Sequence, residues 1–416
     1  MTNIGFISTR LAGVDGVSLE TKKLVDVLTA MGHACYYCAG ELEHDAVEGY
    51  LVPKMHFADE EIAWLSQEAF RTPNPPRDLL QRIYEIADEL RVEIRNFVEK
   101  YDIQVLIPQN ASTIPMNLSL GLAIRDFAER TQIPMICHHH DFYWERERFL
   151  NNGIHHILST AFPPRGENIQ HMVINTIAQK NLKAWFGLDS TYLPNVFDFD
   201  SPPPEPDAFA NTFRSRLGLS DDDLIVLQPT RVIRRKAIEK GVELIRKLND
   251  DRLIYLITGY EGDEKGGYGE WLREEADRSG IRYRFIADVV GDYRDEEKGI
   301  FSLWDIYPHA HFITYPSVIE GFGNALIETL YFRKPLVVHT YPIYLANIKT
   351  AGVQAVEFNY DITDDVLAQT RRLIDDGAYR DDMVEHNYQV GLEHFSYRVL
   401  TQVITTLLGN IPEDDV

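Results

Sequence analysis

Short apolar runs alternate with longer amphipathic segments along most of this chain. The first run, NIGFIST, leads through a turn into VSLETKKLVDVLTAMG, and a second apolar run, GHACYYCA, follows. Within the amphipathic segment, Val17, Leu24, Val25, Leu28 and Met31 fall on one helical stripe. Strands that alternate with covering helices are typical of a parallel sheet. The N-terminal half therefore predicts an α/β fold with a doubly wound, Rossmann-like unit.

The alternation stops at a proline-rich stretch and then begins again. That stretch is DFDSPPPEPDAFA, from Asp198, and its prolines can neither continue a helix nor donate to a strand ladder. Further strands are predicted before it in IQVLIPQ, IPMICHH, GIHHILS and HMVINT, and after it in DLIVLQPT, RLIYLITG, IRYRFIA, AHFITYP, KPLVVHT and VQAVEFN. We expect Rossmann-like domains over residues 1–200 and 201–395 that face a central cleft. Residues 396–416 would add a C-terminal helix that can pack back on the N-terminal domain.

Length and charge restrict the class of partner. A chain of 416 residues is about twice as long as an ordinary domain, which agrees with two cores. The formal net charge of -23 argues against nucleic acid and anionic lipid, because both attract Lys- and Arg-rich surfaces. No apolar run is long enough to span a bilayer, and Met1 leads directly into a strand-like run. We expect a cytoplasmic protein that binds small molecules, without stable membrane insertion.

Two glutamates flank a glycine turn in the stretch SVIEGFGNALIETL. The turn follows a predicted strand and opens a predicted helix, so the backbone N–H groups near Gly321 to Ala325 can meet an anion. Glu320 would lie in the loop and Glu328 about one turn inside the helix, where both can accept hydrogen bonds from sugar or ribose hydroxyls. The alternative is that both are solvated acids near a helix start.

A cationic cluster, TRVIRRK, follows the predicted strand DLIVLQP. Arg231 and Lys236 are placed where the strand meets its helix, and such cations bind phosphate oxygens well. Arg234 and Arg235 belong to the same cluster, which is unusual in so acidic a chain. A phosphate site is the favoured interpretation, and a solvated helix start is the alternative.

Three adjacent histidines close a strand in CHHHDFYWERERF. Successive residues on a strand point to opposite faces, so the three imidazoles cannot all converge on one metal ion, and no metal site is predicted. A histidine with Asp141 could instead bind a polyol or orient a reacting hydroxyl. The first turn, RLAGVDGVSLE, has Gly13 and Gly16 but lacks the full dinucleotide-binding spacing, so an acceptor or a phosphate fits there equally well.

Together these segments resemble glycosyltransferase family 4, the retaining, nucleotide-sugar-dependent enzymes of GT-B fold. The resemblance covers nearly the whole chain, and it rests on GVDGVSLETKKLVDVLTAMGH, HHHDFYWERERF, LPNVFD, PTRVIRRKAIEKGVEL and YPSVIEGFGNALIETLYFRKPLVV. The last segment is the most specific, because two glutamates at this spacing around Gly-Phe-Gly are uncommon outside such enzymes. Ala237 departs from the family, which usually has glycine after the lysine.

The resemblance implies a role for each matching residue. Glu320 would contact the hydroxyls of the donor sugar, Glu328 would contact the ribose, and Arg231 and Lys236 would neutralise the departing diphosphate. The other implied donor-binding residues are Gly16, Gly321, Phe322, Gly323 and Asn324. In the first domain the family places a histidine near the donor sugar; His140 is favoured for it and His139 stays open. Asp141 would help to bind the acceptor.

The resemblance also implies a reaction. A hexose, glucose or mannose, would pass with retained configuration from a UDP-, GDP- or ADP-sugar to a small soluble acceptor, such as a glycoside, disaccharide or compatible-solute precursor. The diphosphate itself would take the acceptor's proton, so neither an enzyme nucleophile nor a metal cofactor is required. Alternatives from the same fold are a sugar-nucleotide epimerase, a phosphorylase, or a non-catalytic nucleotide-sugar-binding subunit. The oligomeric state is left open.

Overall fold

The structure is a computed structural model that describes residues 1–43, 47–260 and 267–411. The chain divides into two compact units. The N-terminal unit is formed by Met1–Pro194 together with the segment that begins at Tyr397, and the C-terminal unit is Asn195–Ser396. Among the described residues, every helix is too short or too polar to cross a membrane.

The N-terminal unit contains one fully parallel sheet of seven strands in the order β3-β2-β1-β4-β5-β6-β7. Its strands are β1 Asn3–Ser8, β2 Ala34–Ala39, β3 Gly49–Leu51, β4 Val105–Pro108, β5 Met135–His139, β6 Ile169–Val173 and β7 Thr191–Tyr192. Its helices before the boundary are α1 Gly16–Ala30, α2 Glu60–Arg71, α3 Arg77–Tyr101, α4 Leu118–Thr131, α5 His155–Ala161 and α6 Thr176–Phe186.

The C-terminal unit repeats this plan with a parallel sheet of six strands in the order β10-β9-β8-β11-β12-β13. Its strands are β8 Leu224–Gln228, β9 Leu253–Ile257, β10 Tyr283–Phe285, β11 Phe312–Tyr315, β12 Leu336–His339 and β13 Val356–Phe358. Its helices are α7 Phe213–Arg216, α8 Glu239–Leu248, α9 Tyr268–Ser279, α10 Leu303–Ile306, α11 Asn324–Tyr331, α12 Asp364–Asp375 and α13 Gly377–His394, with a π-helical turn at Tyr344–Ile348.

The last helix, α14 Tyr397–Gly409, belongs to the N-terminal unit. It packs on α1 and buries Leu400, Ile404 and Leu407. Gln170, in β6, donates a hydrogen bond of 2.8 Å to the backbone oxygen of Leu407. The α14 sequence therefore completes a core that begins almost 400 residues earlier in the chain.

Strand order reverses once in each sheet, between β1 and β4 and between β8 and β11. At such a reversal the helices that follow the two strands leave toward opposite faces of the sheet, and the carboxyl ends of the strands border a crevice. The loops after β1 and β4, and after β8 and β11, are therefore the places in each unit where a ligand is expected.

The predicted doubly wound α/β architecture is confirmed, and one predicted strand is wrong. GIHHILS forms helix α5 rather than a strand. The apolar residues Ile154, Ile157, Leu158 and Ala161 are buried at helical spacing, while the two histidines of the segment begin the helix and face solvent. A run this short is compatible with both the two-residue period of a strand and the 3.6-residue period of a helix. Burial of apolar residues three and four positions apart favours the helix.

Helix α8 packs so closely on strand β9 that there is no space for a side chain at position 241. A Cβ atom on Gly241 would lie 2.0 Å from the hydroxyl oxygen of Tyr255. That hydroxyl cannot move aside easily, because the tyrosine is fully buried and donates a 2.9 Å hydrogen bond to Gln228.

Gly241→Ala is therefore expected to lower the free energy of unfolding by about 1–3 kcal/mol, as overpacking does in other cores. Urea unfolding of the purified variant measures the change. Gly377→Ala is the matched control in the same unit, since its added Cβ would approach no atom closer than 3.6 Å. Equal stability of the two variants would contradict this account of the α8–β9 contact.

Candidate functional site

A buried lysine closes the loop that follows strand β8. The loop ends in a tight turn over Arg234–Lys236, and Ala237 after it adopts a left-handed conformation with φ of 44°. Glycine takes that conformation at least cost, which gives a physical reason for the glycine usual at this position. The Lys236 side chain is only 10% exposed, and its ammonium group lies 5.7 Å from the centroid of the Tyr315 ring. Burial lowers the pKa of Lys236.

Glu320 is the counter-charge of that lysine. It follows β11, its side chain is 8% exposed, and it forms an ion pair with Lys236 and a second one of 2.9 Å with Arg235. Burial alone would raise the pKa of Glu320, but the two cations outweigh it and hold the pKa below its ordinary value. Two residues that the sequence placed in separate motifs thus form one charged cluster at the reversal point of the C-terminal sheet.

The glycine turn after Glu320 is shaped by two buried tyrosines. Gly323 has φ of 133°, and a Cβ there would lie 2.8 Å from the Tyr341 hydroxyl and 3.2 Å from the Tyr315 hydroxyl. Tyr341 also donates a 2.7 Å hydrogen bond to the backbone oxygen of Phe322. A residue with a side chain would be strained at position 323 both by its backbone and by its neighbours.

Helix α11 begins at Asn324 with no side chain capping it. Its first N–H groups have no acceptor within the helix, as at every helix start, and they carry the positive end of the helix dipole. The side-chain oxygen of Asn324 accepts a hydrogen bond from the buried Asn195 amide. This segment is therefore a helix start without a side-chain cap, where backbone N–H groups can bind an anion.

Glu328 lies half-buried in the second turn of α11 and is held by the residue that follows α10. The Tyr307 hydroxyl donates a 3.1 Å hydrogen bond to its Oε2 atom. The tyrosine is itself fixed, because it is fully buried and stacks on Phe332 with ring centroids 4.7 Å apart. The carboxylate therefore has a defined orientation before any ligand binds.

Arg231 is exposed at the start of the same loop. Within the described part of the chain its side chain has no hydrogen-bond or ion-pair partner, whereas Arg235 is engaged by Glu320 and Arg234 lies over the Tyr268 ring at 5.8 Å. Its charge nevertheless acts on Lys236, whose pKa it helps to lower. Among the described residues, Arg231 is thus the cation of this cluster whose side chain has no partner, and the other three already have contacts.

In the N-terminal unit, the three histidines divide between the two faces of strand β5. His138 and His140 lie on one face with ring centroids 4.2 Å apart, and both donate to the Gln109 side-chain oxygen, at 2.9 and 3.3 Å. His139 lies on the other face and shares a 2.9 Å hydrogen bond with the buried His171. Among the described residues, no three His, Cys, Asp or Glu side chains are grouped so that they could hold a metal ion.

Asn110, which sequence analysis missed, fixes the loop at the end of β5. It has a left-handed backbone with φ of 57°, and its side-chain oxygen accepts from the backbone N–H groups of His140 and Asp141 at 3.0 and 3.1 Å. Asp141 forms an ion pair of 2.7 Å with Arg146. A polar residue directly after the buried run of β4 is the signal that could have identified Asn110.

The first turn lies close to this histidine loop. Asp15 caps α1 by accepting from the N–H groups of Val17 and Ser18, at 3.0 and 3.2 Å, so that Gly16 is the first residue of the helix. The negative charge of Asp15 is also near enough to act on the pKa of His140. Burial nevertheless dominates and lowers the pKa of His140 to about 4.

The buried Lys236–Glu320 pair generates a prediction about stability. Glu320→Gln would leave Lys236 buried without its counter-charge, and breaking a buried pair in this way costs about 3–5 kcal/mol. Urea unfolding should show that loss, and the double variant Glu320→Gln/Lys236→Met should recover part of it. Asp295→Asn is the control, because Asp295 pairs with the 78% exposed Lys298, so little change is expected. A Glu320→Gln protein as stable as Asp295→Asn would contradict the assignment.

The buried histidines predict a pH dependence. Burial lowers the pKa of both His140 and His171 to about 4 from the ordinary 6.5, so between these values the unfolded chain binds more protons than the folded chain. Their contribution to the free energy of unfolding is complete above pH 6.5 and is lost as the pH falls toward 4. At pH 5.5, each histidine should lower the free energy of unfolding by about 1.4 kcal/mol.

Urea unfolding at pH 7.5, 6.5, 5.5 and 4.5 measures this loss. His171→Gln removes one of these titrating groups, so the stability of the variant should fall less steeply over the same range, by about one proton. Parallel slopes for the variant and the parent would contradict the assignment.

Comparison with known proteins identifies the family to which the chain belongs. The model of the family described as Glycosyl transferases group 1 matches residues 209–390. Mannosylglucosylglycerate synthase of Petrotoga mobilis is 34% identical over 379 residues, which cover 85% of this chain and 86% of that protein. The synthase of the same name from Thermotoga maritima is 31% identical, over 97% of this chain and 98% of its own length.

A solved structure shows the same fold. Sucrose-phosphate synthase from Thermosynechococcus elongatus superposes with a TM-score of 0.69 at 16% sequence identity, over 98% of each chain. The two parallel sheets, the family match and the two synthases all agree with the GT-B fold predicted above. The chain is a glycosyltransferase and belongs to the group 1 glycosyl transferases.

Proposed function

We propose that this enzyme transfers a mannosyl group from a nucleoside diphosphate mannose to glucosylglycerate. The order of the parts in the relatives' name, mannosylglucosylglycerate synthase, puts the mannosyl group outermost, so its transfer would be the last step of that synthesis. The alignment over most of both chains is the observation that supports this acceptor. The donor half of the proposal is supported by the charged cluster at the end of β8 and β11.

The C-terminal unit supplies groups for each part of such a donor. The diphosphate would meet the uncapped start of α11 together with Arg231 and Lys236. The sugar hydroxyls would hydrogen-bond to Glu320, whose pKa is held low and which is therefore an acceptor at neutral pH. The ribose hydroxyls would reach Glu328, which Tyr307 already orients. Carboxylates suit this task because they accept from two neighbouring hydroxyls at once.

Transfer with retained configuration would follow from the same groups. The bond between the anomeric carbon and the diphosphate oxygen breaks while the acceptor oxygen bonds to that carbon from the same side. The acceptor's proton passes to the departing diphosphate oxygen, so no side chain needs to act as nucleophile. The negative charge that develops on the diphosphate is stabilised by Arg231, Lys236 and the helix start. We propose that these groups make a metal cofactor unnecessary.

The N-terminal unit would contribute a neutral histidine. Because the pKa of His140 is lowered to about 4, its imidazole is uncharged at neutral pH and can hydrogen-bond a sugar hydroxyl without adding a charge. His139 is less suited to this role, because it is only 1% exposed, against 8% for His140, and is hydrogen-bonded to His171 on the other face of β5. Asp141 at the end of the same loop would contact the acceptor.

The experiment is a transfer assay with glucosylglycerate and a panel of UDP-, GDP- and ADP-linked mannose and glucose, with and without EDTA. We expect mannosylglucosylglycerate from one nucleotide only, with unchanged anomeric configuration by NMR. Arg231→Ala should lower kcat/KM by about 100-fold or more, since it removes charge stabilisation in the transition state. Arg234→Ala is the matched control from the same loop and should change it less than about threefold, because that side chain lies over Tyr268.

Three outcomes would overturn the proposal. One is an isomerised sugar from donor alone, the second is strict dependence on inorganic phosphate, and the third is transfer that Arg231→Ala leaves unchanged. An inverted anomeric centre would reject the retaining step while keeping the donor and acceptor.

A further inference from the structure

A pocket of about 450 Å³ lies in the N-terminal unit, outside the groups described above. Its walls come from α2 and from the loops that follow β3, β4 and β5, so it lies at the carboxyl edge of the sheet. The lining residues used below are Phe57, Phe70, Arg71, Met116, Arg148 and Phe149. Its size and its aromatic walls with a few polar groups are those of a small-molecule site.

The pocket borders both loops that the N-terminal unit would offer to a substrate. The Arg10 guanidinium of the first turn lies 5.7 Å from the centroid of the Phe57 ring, and Arg10 also pairs with Asp15 at 2.9 Å. On the other side, Arg148 and Phe149 follow in the same loop as Asp141 and its ion-pair partner. One lining residue thus contacts the first turn, and two others belong to the histidine loop.

The arginines in and near the pocket differ in whether a carboxylate already forms an ion pair with them. Arg71 pairs with Glu68 at 3.0 Å, and Arg146, close to the pocket, pairs with Asp141 at 2.7 Å. Arg148 contacts the Phe149 ring at 4.5 Å; the charge of Asp141 acts on it, but among the described residues no carboxylate lies within ion-pair distance. In a chain with a formal net charge of -23, an arginine that forms no ion pair among the described residues and lies beside an aromatic pocket indicates an anionic ligand.

We propose that this pocket binds the acceptor, that Arg148 pairs with its carboxylate, and that the aromatic walls pack on the C–H faces of its sugar ring. The identity of the acceptor rests on the proposed function, whereas the requirement for a small anionic sugar derivative rests on the pocket. A planar guanidinium can bind both oxygens of a carboxylate, which a neutral hydroxymethyl group cannot reproduce. The pocket would then select acidic over neutral acceptors.

The test compares glucosylglycerate with glucosylglycerol, in which a hydroxymethyl group replaces the carboxylate. The parent enzyme should prefer the acid by about 10- to 100-fold in kcat/KM, the discrimination expected of a charge-assisted pair. Arg148→Gln should bring this ratio close to one, with the KM for the donor unchanged. Arg148→Lys should keep part of the preference, since it retains the charge but loses the planar fork. Arg95→Gln, an exposed arginine of α3 outside the pocket, should behave like the parent.

Direct binding separates this inference from the proposed function. Calorimetry without donor should detect glucosylglycerate on the parent and weaker binding on Arg148→Gln, with circular dichroism confirming that both are folded. Binding that depends on Arg148, together with no transfer, would reject the proposed reaction and keep the pocket. A preference for the acid that survives Arg148→Gln, or no binding to the parent, would overturn the pocket assignment.

Discussion

The reversal of strand order in each sheet is the constraint on which the candidate sites depend. A parallel strand must return through a helix on one face, and the connection is right-handed in nearly all proteins. Where the order reverses, the helices that follow the two neighbouring strands lie on opposite faces of the sheet. Neither helix therefore covers the carboxyl ends of these strands. Lys236 and Glu320 follow the two strands on either side of that reversal in the C-terminal sheet. Their meeting is a consequence of topology, because 84 residues separate them in sequence.

The ion pair at that point fixes the charge and orientation of its groups more than it stabilises the fold. A buried pair gains little net stability, because removing both charges from water costs about as much as their attraction returns. Glu320 is nevertheless held anionic by Lys236 and Arg235, and Glu328 is held in place by Tyr307. Groups fixed in this way would need little rearrangement to bind the proposed donor, and such preorganisation is a general source of catalysis.

Local sequence patterns predicted most of the helices and strands. They could not predict contacts between segments that are distant in the sequence. NIGFIST and GHACYYCA form β1 and β2, and KAIEKGVELIRKL contains α8, because period and propensity agree in each of them. GIHHILS was misassigned because seven residues fit two periods. The orienting contacts of Asn110, Tyr307 and Asn195 could not be predicted, since each joins segments that only the fold brings together. The roles assigned to the motif residues stay predictions.

The position of α14 has a consequence for how the protein is made. Synthesis runs from the N-terminus, so the whole C-terminal unit leaves the ribosome before the helix that covers α1. Until then, the surface that receives Leu400, Ile404 and Leu407 is open to water on an otherwise complete sheet. The nascent N-terminal unit therefore spends the time needed to translate about 200 residues, some 10 to 40 seconds, with one apolar face exposed to water.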